Sequence, residues 1–348
     1  MMKKISRLFC AALVFTMAMG TFAACVNEND NSEAKETKYN DACALIESGD
    51  YESAYAMFKE LGDYKDSQKY LSRFIYFPTV ANYVLYDRSG VMTIELGAYN
   101  MPSRILSEGV EGTENNAYTK DGVYTYDSKG NLMQQAVKYN ETSLAYDYTY
   151  DNNNNISKAE YSLEGVVITV NSYTYDENGL LIRESYTEGD VVHYDYENSY
   201  DANGNMIKSE YKTPDGDHIY TYTYNDEGNL VNEHGTALNK YWYNIDYTYN
   251  ADGQLTQEVY TNYEEDDYTI DYTYDNAGNC IKEEYSYSDG TKKVFTREYD
   301  ANGNVKKEVL TSRDGTVETV EWQYALTYIT IDIPVWTMNQ MLGIFDII

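Results

Sequence analysis

Tyr126-Asp127-Ser128-Lys129-Gly130-Asn131-Leu132 is the first clear copy of a pattern that returns seven times. The Tyr-Asp or Tyr-Asn pair starts again at Tyr150, Tyr175, Tyr200, Tyr224, Tyr249, Tyr274 and Tyr299, in steps of 24 or 25 residues. A fixed period of this length marks a repeat architecture before any local argument is made. Four residues after each Tyr stand Gly130, Asn154, Gly179, Gly204, Gly228, Gly253, Gly278 and Gly303. Glycine, with asparagine as its one substitute, is the choice expected where the backbone turns left-handed. The Asp or Asn after Tyr is suited to bond the turn backbone. A tight hairpin follows, a type I turn closed by a left-handed bulge residue.

Six residues after each Tyr runs an apolar column: Leu132, Ile156, Leu181, Met206, Leu230, Leu255, Cys280 and Val305. A bulged loop pairs this column with the Tyr and puts both on one face. Before the turn, Tyr220-Thr221-Tyr222-Thr223-Tyr224 alternates ring and hydroxyl with the period of a strand. The opposite ends carry turns such as Ser288-Asp289-Gly290. Each unit is two strands and two turns. The fold class expected is mainly β: an array of repeated antiparallel β-hairpins forming a curved or spiralling open sheet, with a small N-terminal α-helical segment.

The motif resembles the YD repeat, also called the Rhs repeat, over residues 118–324. The resemblance implies a continuous antiparallel sheet. Eight units look too few for the closed shell of the long family members, so an open sheet is expected. Residues 78–117 read as an atypical first repeat, and 325–348 as an apolar C-terminal cap over the last sheet edge.

Residues 1–24 read as a signal peptide. Lys3, Lys4 and Arg7 form a basic start, and an apolar run follows from Leu8 to about Met19. Phe22-Ala23-Ala24-Cys25 resembles a lipobox, which implies diacylglyceryl transfer to Cys25 and cleavage before it. Membrane attachment through this anchor, facing the extracytoplasmic side of a bacterial cell, is the expected location. Residues 25–34 are polar and acidic, as in a flexible tether. Residues 35–77 change to helical spacing, with Leu45, Ile46, Tyr51, Ala54, Phe58 and Leu61 on three-and-four steps. Gly49-Asp50 and Gly62-Asp63 punctuate that stretch, and a third helix is expected to carry Tyr70, Leu71, Phe74 and Ile75 up to Pro78. Residues 49–67 resemble the second half of a tetratricopeptide repeat at Gly49, Tyr51, Ala54 and Phe58.

The formal net charge is -31, and losing Lys3, Lys4 and Arg7 with the signal deepens it. Phosphate neutralisation needs clustered Lys and Arg, so nucleic acid is excluded as a partner. His193, His218 and His234 stand apart from any nucleophile motif or metal-ligand spacing. Asp201-Ala202-Asn203-Gly204-Asn205 resembles part of a calcium loop but lacks the later glutamate, and turn formation accounts for the same residues. No enzyme activity, metal or cofactor is expected. The 41 tyrosines either form structural cross-strand ladders or leave one aromatic face for a glycan or protein. The expected function is a non-catalytic surface scaffold with such a partner. A plain spacer and a shell that encloses a secreted partner are the alternatives.

Overall fold

The computed structural model describes residues 28–97, 100–112, 114, 116–213, 216–237, 240–262 and 266–329. The chain divides into two units between Phe74 and Ile75.

In the first unit, helix α1 spans Glu28–Ser48 and α2 spans Tyr51–Leu61. Residues 28–34, expected as tether, therefore belong to α1. Acidic residues there favour a helix N-terminus. Gly49 takes a φ of 83° and ends α1, and Asp50 caps α2 by accepting from the Ser53 N–H at 3.2 Å. Ala42, Ala54 and Phe58 are fully buried between the helices. The Phe58 ring lies parallel to Tyr70 at 4.6 Å. The tetratricopeptide resemblance is corrected here. A further full helix would have to follow Gly62, but α3 is only Ser67–Leu71. Phe74 and Ile75, expected on that helix, open a strand instead. The run Phe74-Ile75-Tyr76-Phe77 is aromatic and β-branched, and packs better on a pleated surface.

The second unit is a single antiparallel sheet of twenty strands among the described residues. Strands β1 (Phe74–Val84), β2 (Arg88–Leu96), β3 (Pro102–Glu111) and β4 (Asn116–Tyr126) come first. Sixteen more follow in hairpins, two per repeat, from β5 (Leu132–Tyr139) to β20 (Val317–Tyr328). Consecutive strands pair throughout, and β1 also pairs with β20. The Thr79 hydroxyl donates to the Gln323 carbonyl, and the Tyr86 N–H to the Glu318 carboxylate at 2.9 Å. Near the same seam, Asn100 donates to the Tyr328 carbonyl, and Phe77, Met101 and Ile329 bury together.

The sheet is thus a closed barrel. This overturns the open, spiralling sheet and, with it, the YD-repeat shell that the motif resemblance implied. The physical reason lies in residues 74–126. Where one atypical repeat over 78–117 and the lead-in to the first motif were expected, they supply four strands of nine to eleven residues. Those strands complete the ring that eight repeats alone leave open. Closure pairs both would-be edges, which removes the need for a capping flap. Of the expected cap, residues 325–328 continue β20, and 330–348 lie outside the described residues.

Candidate binding face

Each turn sets one tyrosine. Asp201 Oδ1 accepts from the N–H of Asn203 at 2.9 Å and of Asn205 at 2.8 Å, while Oδ2 accepts from the Asn205 amide at 3.0 Å. These bonds hold the Asp201 carboxyl below its usual range. Gly204 donates to the Asp201 carbonyl at φ 86°. Gly130, Gly179, Gly228, Gly253, Gly278 and Gly303 lie at φ between 77° and 89°, and Asn154 at 71°. The register then skips one residue, so Tyr200 pairs with Met206 and Tyr126 with Leu132. The motif tyrosine and the apolar column share a face.

That face is the concave one. Strands alternate between exposed and shielded side chains, and in a closed ring the inward side chains converge and lose solvent. Leu132 and Tyr148 are 0% and 8% exposed, whereas Val123 on the other face is 46% exposed. Twenty strands about 4.8 Å apart give a circumference near 100 Å before tilt. A ring of that size leaves room for water along its inner wall.

The motif tyrosines serve the scaffold. Tyr126 donates to the Pro102 carbonyl at 2.8 Å, Tyr150 to Leu132 at 2.8 Å and Tyr200 to Leu181 at 2.7 Å. Tyr224, Tyr249, Tyr274 and Tyr299 make the same step to Met206, Leu230, Leu255 and Cys280. Seven of the eight motif tyrosines, all but Tyr175, hook their repeat to the hairpin before it.

The tyrosines further along each strand do something different. An unbroken path of ring contacts runs from Tyr186 through Tyr194, Tyr196, Tyr220, Tyr243 and Tyr260 to Tyr268, then by Tyr285 to Phe295. Centroid spacings along it lie between 4.7 and 6.3 Å. Burial pushes the Tyr194 and Tyr220 hydroxyls up to about 12.

A second column was missed in the sequence. Nine residues after the motif Tyr stand Glu184, Glu233, Glu258, Glu283 and Glu308. They pair directly across from concave-face residues: Glu184 with Tyr173, Glu233 with Tyr222, and Glu283 with Tyr272. The repeat interval was enough to find them. Glu233 accepts from Tyr243 and Tyr247, and Glu258 from Tyr272 at 2.6 Å. Arg297 bonds Glu283 at 2.5 Å and Glu308 at 2.6 Å. Burial works against the Arg297 charge, but the two carboxylates hold it firmly protonated. Burial alone raises the Glu184 carboxyl above its usual range.

The outward face is mostly polar, with Val91 and Val123 among its exposed apolar residues. It carries Thr149, Thr174, Thr223, Thr248 and Thr273, with cross-strand pairs such as Arg183 with Asp195 at 2.7 Å and Lys307 with Glu321 at 2.7 Å. Arg104 grips Asp121 through two bonds at 2.8 and 2.9 Å. The histidines stay apart. His193 lies beside Glu188 at 3.3 Å, His218 stacks on Tyr211 at 4.4 Å, and His234 pairs with Thr221 on the outward face. Cys280 is buried in the apolar column. Among the described residues no cluster of His, Cys, Asp and Glu has the makings of a metal site. Cys25 lies outside the described residues.

No protein-family model matches the chain, and no curated protein matches it. Among the solved structures that are similar in part are two porin-like proteins. A porin-like protein from Bacteroides uniformis aligns at a TM-score of 0.37 and 13% identity, over 64% of this chain and 96% of that one. A porin-like protein from Bacteroides vulgatus aligns at 0.29 and 11%, over 59% and 94%. At these scores the likeness establishes no shared fold, and ring closure rests on the strand pairing itself.

Proposed function

We propose that the chain is a non-catalytic, membrane-associated surface protein whose barrel holds a glycan against its tyrosine-lined concave face. The single observation that carries this reading is the unbroken ring path from Tyr186 to Phe295. It offers flat apolar surfaces with polar rims, half open to solvent, which suits stacking on sugar rings. Seven of the eight motif tyrosines are already committed to backbone carbonyls, so the binding role falls to the tyrosines further along each strand. Membrane association comes through the lipid on Cys25. The outward face supports a barrel standing in water, since a spanning barrel needs an outward apolar band about 25 Å tall. Thr and ion pairs occupy that position here.

A glycan array with the full chain tests the reading. Tyr220→Ser combined with Tyr243→Ser should lower capture of the best glycan at least tenfold while the circular dichroism melt stays cooperative. Unchanged capture by the double variant, or no glycan captured by the parent, overturns the proposal.

A further inference from the structure

Strands β2 and β4 bring two cations to the concave face of a chain whose net charge is -31. Arg88 opens β2 and shares its inward side with Gly90 and the buried Met92. Lys120 lies on β4 and shares its inward side with the buried Tyr118 and Tyr124. Both residues are half-buried. The Arg88 charge acts on Lys120, Tyr83 and Tyr139 alike, which places its guanidinium among them. Burial first, and then that neighbouring cation, pull the Lys120 ammonium down to about 8. Two like charges in a shielded wall are costly, and an anion beside them offsets that cost.

Arg88 is the open member of the pair. Glu111 stands directly across the strand from it. The Glu111 carboxylate accepts from the Tyr139 hydroxyl instead. No hydrogen bond or ion pair among the described residues holds the Arg88 guanidinium. Of its nitrogens only Nε is sealed from solvent, which leaves the two terminal ones open. Tyr83, Gly90, Gly109 and Tyr118 form the next row across the wall. The Tyr83 and Tyr118 hydroxyls meet across the two glycines. A Cβ on Gly90 would come within 2.8 Å of the Tyr83 hydroxyl, so the glycine makes room for that bridge. The Tyr118 ring stacks with Tyr139 at 6.0 Å. Rings beside an open guanidinium suit an acidic sugar, since a ring face packs on a pyranose and a planar fork matches two oxygens of an oxyanion.

We infer that Arg88, backed by the charge of Lys120, forms a subsite for an oxyanion substituent of the glycan, a uronic-acid carboxylate or a sulfate ester. This rests on the glycan reading above and narrows it. Arg88 takes two oxygens through its terminal nitrogens. Lys120 starts two strands and four residues away, so it contributes potential rather than the contact. The negative charge of the rest of the chain is screened within about 8–10 Å at physiological salt, so the local cations decide.

Calorimetry on the full chain tests it with tetramers of galacturonic acid, of its methyl ester and of galactose sulfate, and with sodium sulfate. At least one acidic tetramer should bind about tenfold tighter than the neutral ester, the worth of one charged hydrogen bond, and the preferred tetramer names the oxyanion. Arg88→Gln should erase that preference with the melting temperature unchanged, because no partner inside the protein is lost. Arg88→Lys should restore only part of it, since the charge returns without the fork. Lys120→Met should weaken the acidic tetramer less than Arg88→Gln does. An ester bound as tightly as both acids overturns the subsite and leaves the glycan reading standing. A preference that survives Arg88→Gln also overturns the subsite. Arg88-dependent binding of sulfate with no tetramer bound supports the subsite and overturns its glycan setting. No binding of any probe overturns the subsite.

Discussion

Gly204 stands at φ 86°, and a Cβ built there meets only the Leu180 side chain, at 4.0 Å. Space is not what selects glycine. The backbone conformation is, because an L side chain is strained at that φ. Gly204→Val should cost about 1–3 kcal/mol. Gly204→Asn should be milder, since Asn154 holds φ 71° at the equivalent turn. Chemical denaturation of the two variants checks the order, and equal midpoints would refute this account of the column. The turns were legible because one residue type was forced at one interval. The Asp side-chain bonds were legible for the same reason. The bonding of the inner glutamates was not: their identity was visible at one interval, but which donor meets Glu233 or Glu283 depends on the neighbours that the register brings across.

A single strand pair cannot hold the inner wall, and the chemistry of the wall is settled three strands at a time. Across β17 (Cys280–Tyr287), β18 (Lys292–Tyr299) and β19 (Val305–Thr311), Arg297 is the cation between two carboxylates. The Arg297 side chain is 14% exposed and that of Glu283 8%. Arg297→Met removes the charge but keeps much of the volume, and it leaves two carboxylates facing each other across the strand. Breaking a shielded pair in this way costs about 3–5 kcal/mol. Adding Glu283→Gln should recover part of the loss, because one of the stranded charges is then gone. Thermal melts of the single and double variants measure this, and a double variant no more stable than the single would refute it. At this scale the sequence was informative about strands and silent about partners. Alternation announced β strands from residue 118 onward, whereas Phe74 and Ile75 were read as helix because three-and-four spacing and strand alternation overlap in short apolar runs.

Whether a repeat sheet stays open or closes is a property of the whole chain, and no single repeat carries it. Eight motif units supply sixteen strands, and an open sheet of sixteen would expose the backbone of two edges. Three of the missing four strands, β1 to β3, come from residues whose pattern departs from the motif, which is why closure could not be read from the period. β1, β2 and β3 each place a small residue on the inward face, Ala81, Gly90 and Gly109, where the array places larger side chains. A Cβ on Gly109 would come within 2.0 Å of the Ser89 carbonyl oxygen, so the chains approach there more closely than the repeats allow. Closure makes a specific demand on amide exchange. The N–H groups of an edge strand that face away from its one neighbour exchange freely, whereas those of a ring strand are bonded on both sides. Residues 79–84 of β1 and 317–324 of β20 should therefore be protected to within about tenfold of central strands such as β9 (Leu181–Glu188) and β10 (Val191–Tyr200). Thr79→Pro would strip the hydroxyl bond to Gln323 from the seam and take a backbone N–H out of β1. That variant should lose protection in β1 and β20 first, while β9 and β10 keep theirs. Hydrogen exchange read by mass spectrometry resolves these segments, and fast exchange along both β1 and β20 in the parent chain would mean that the ring is open.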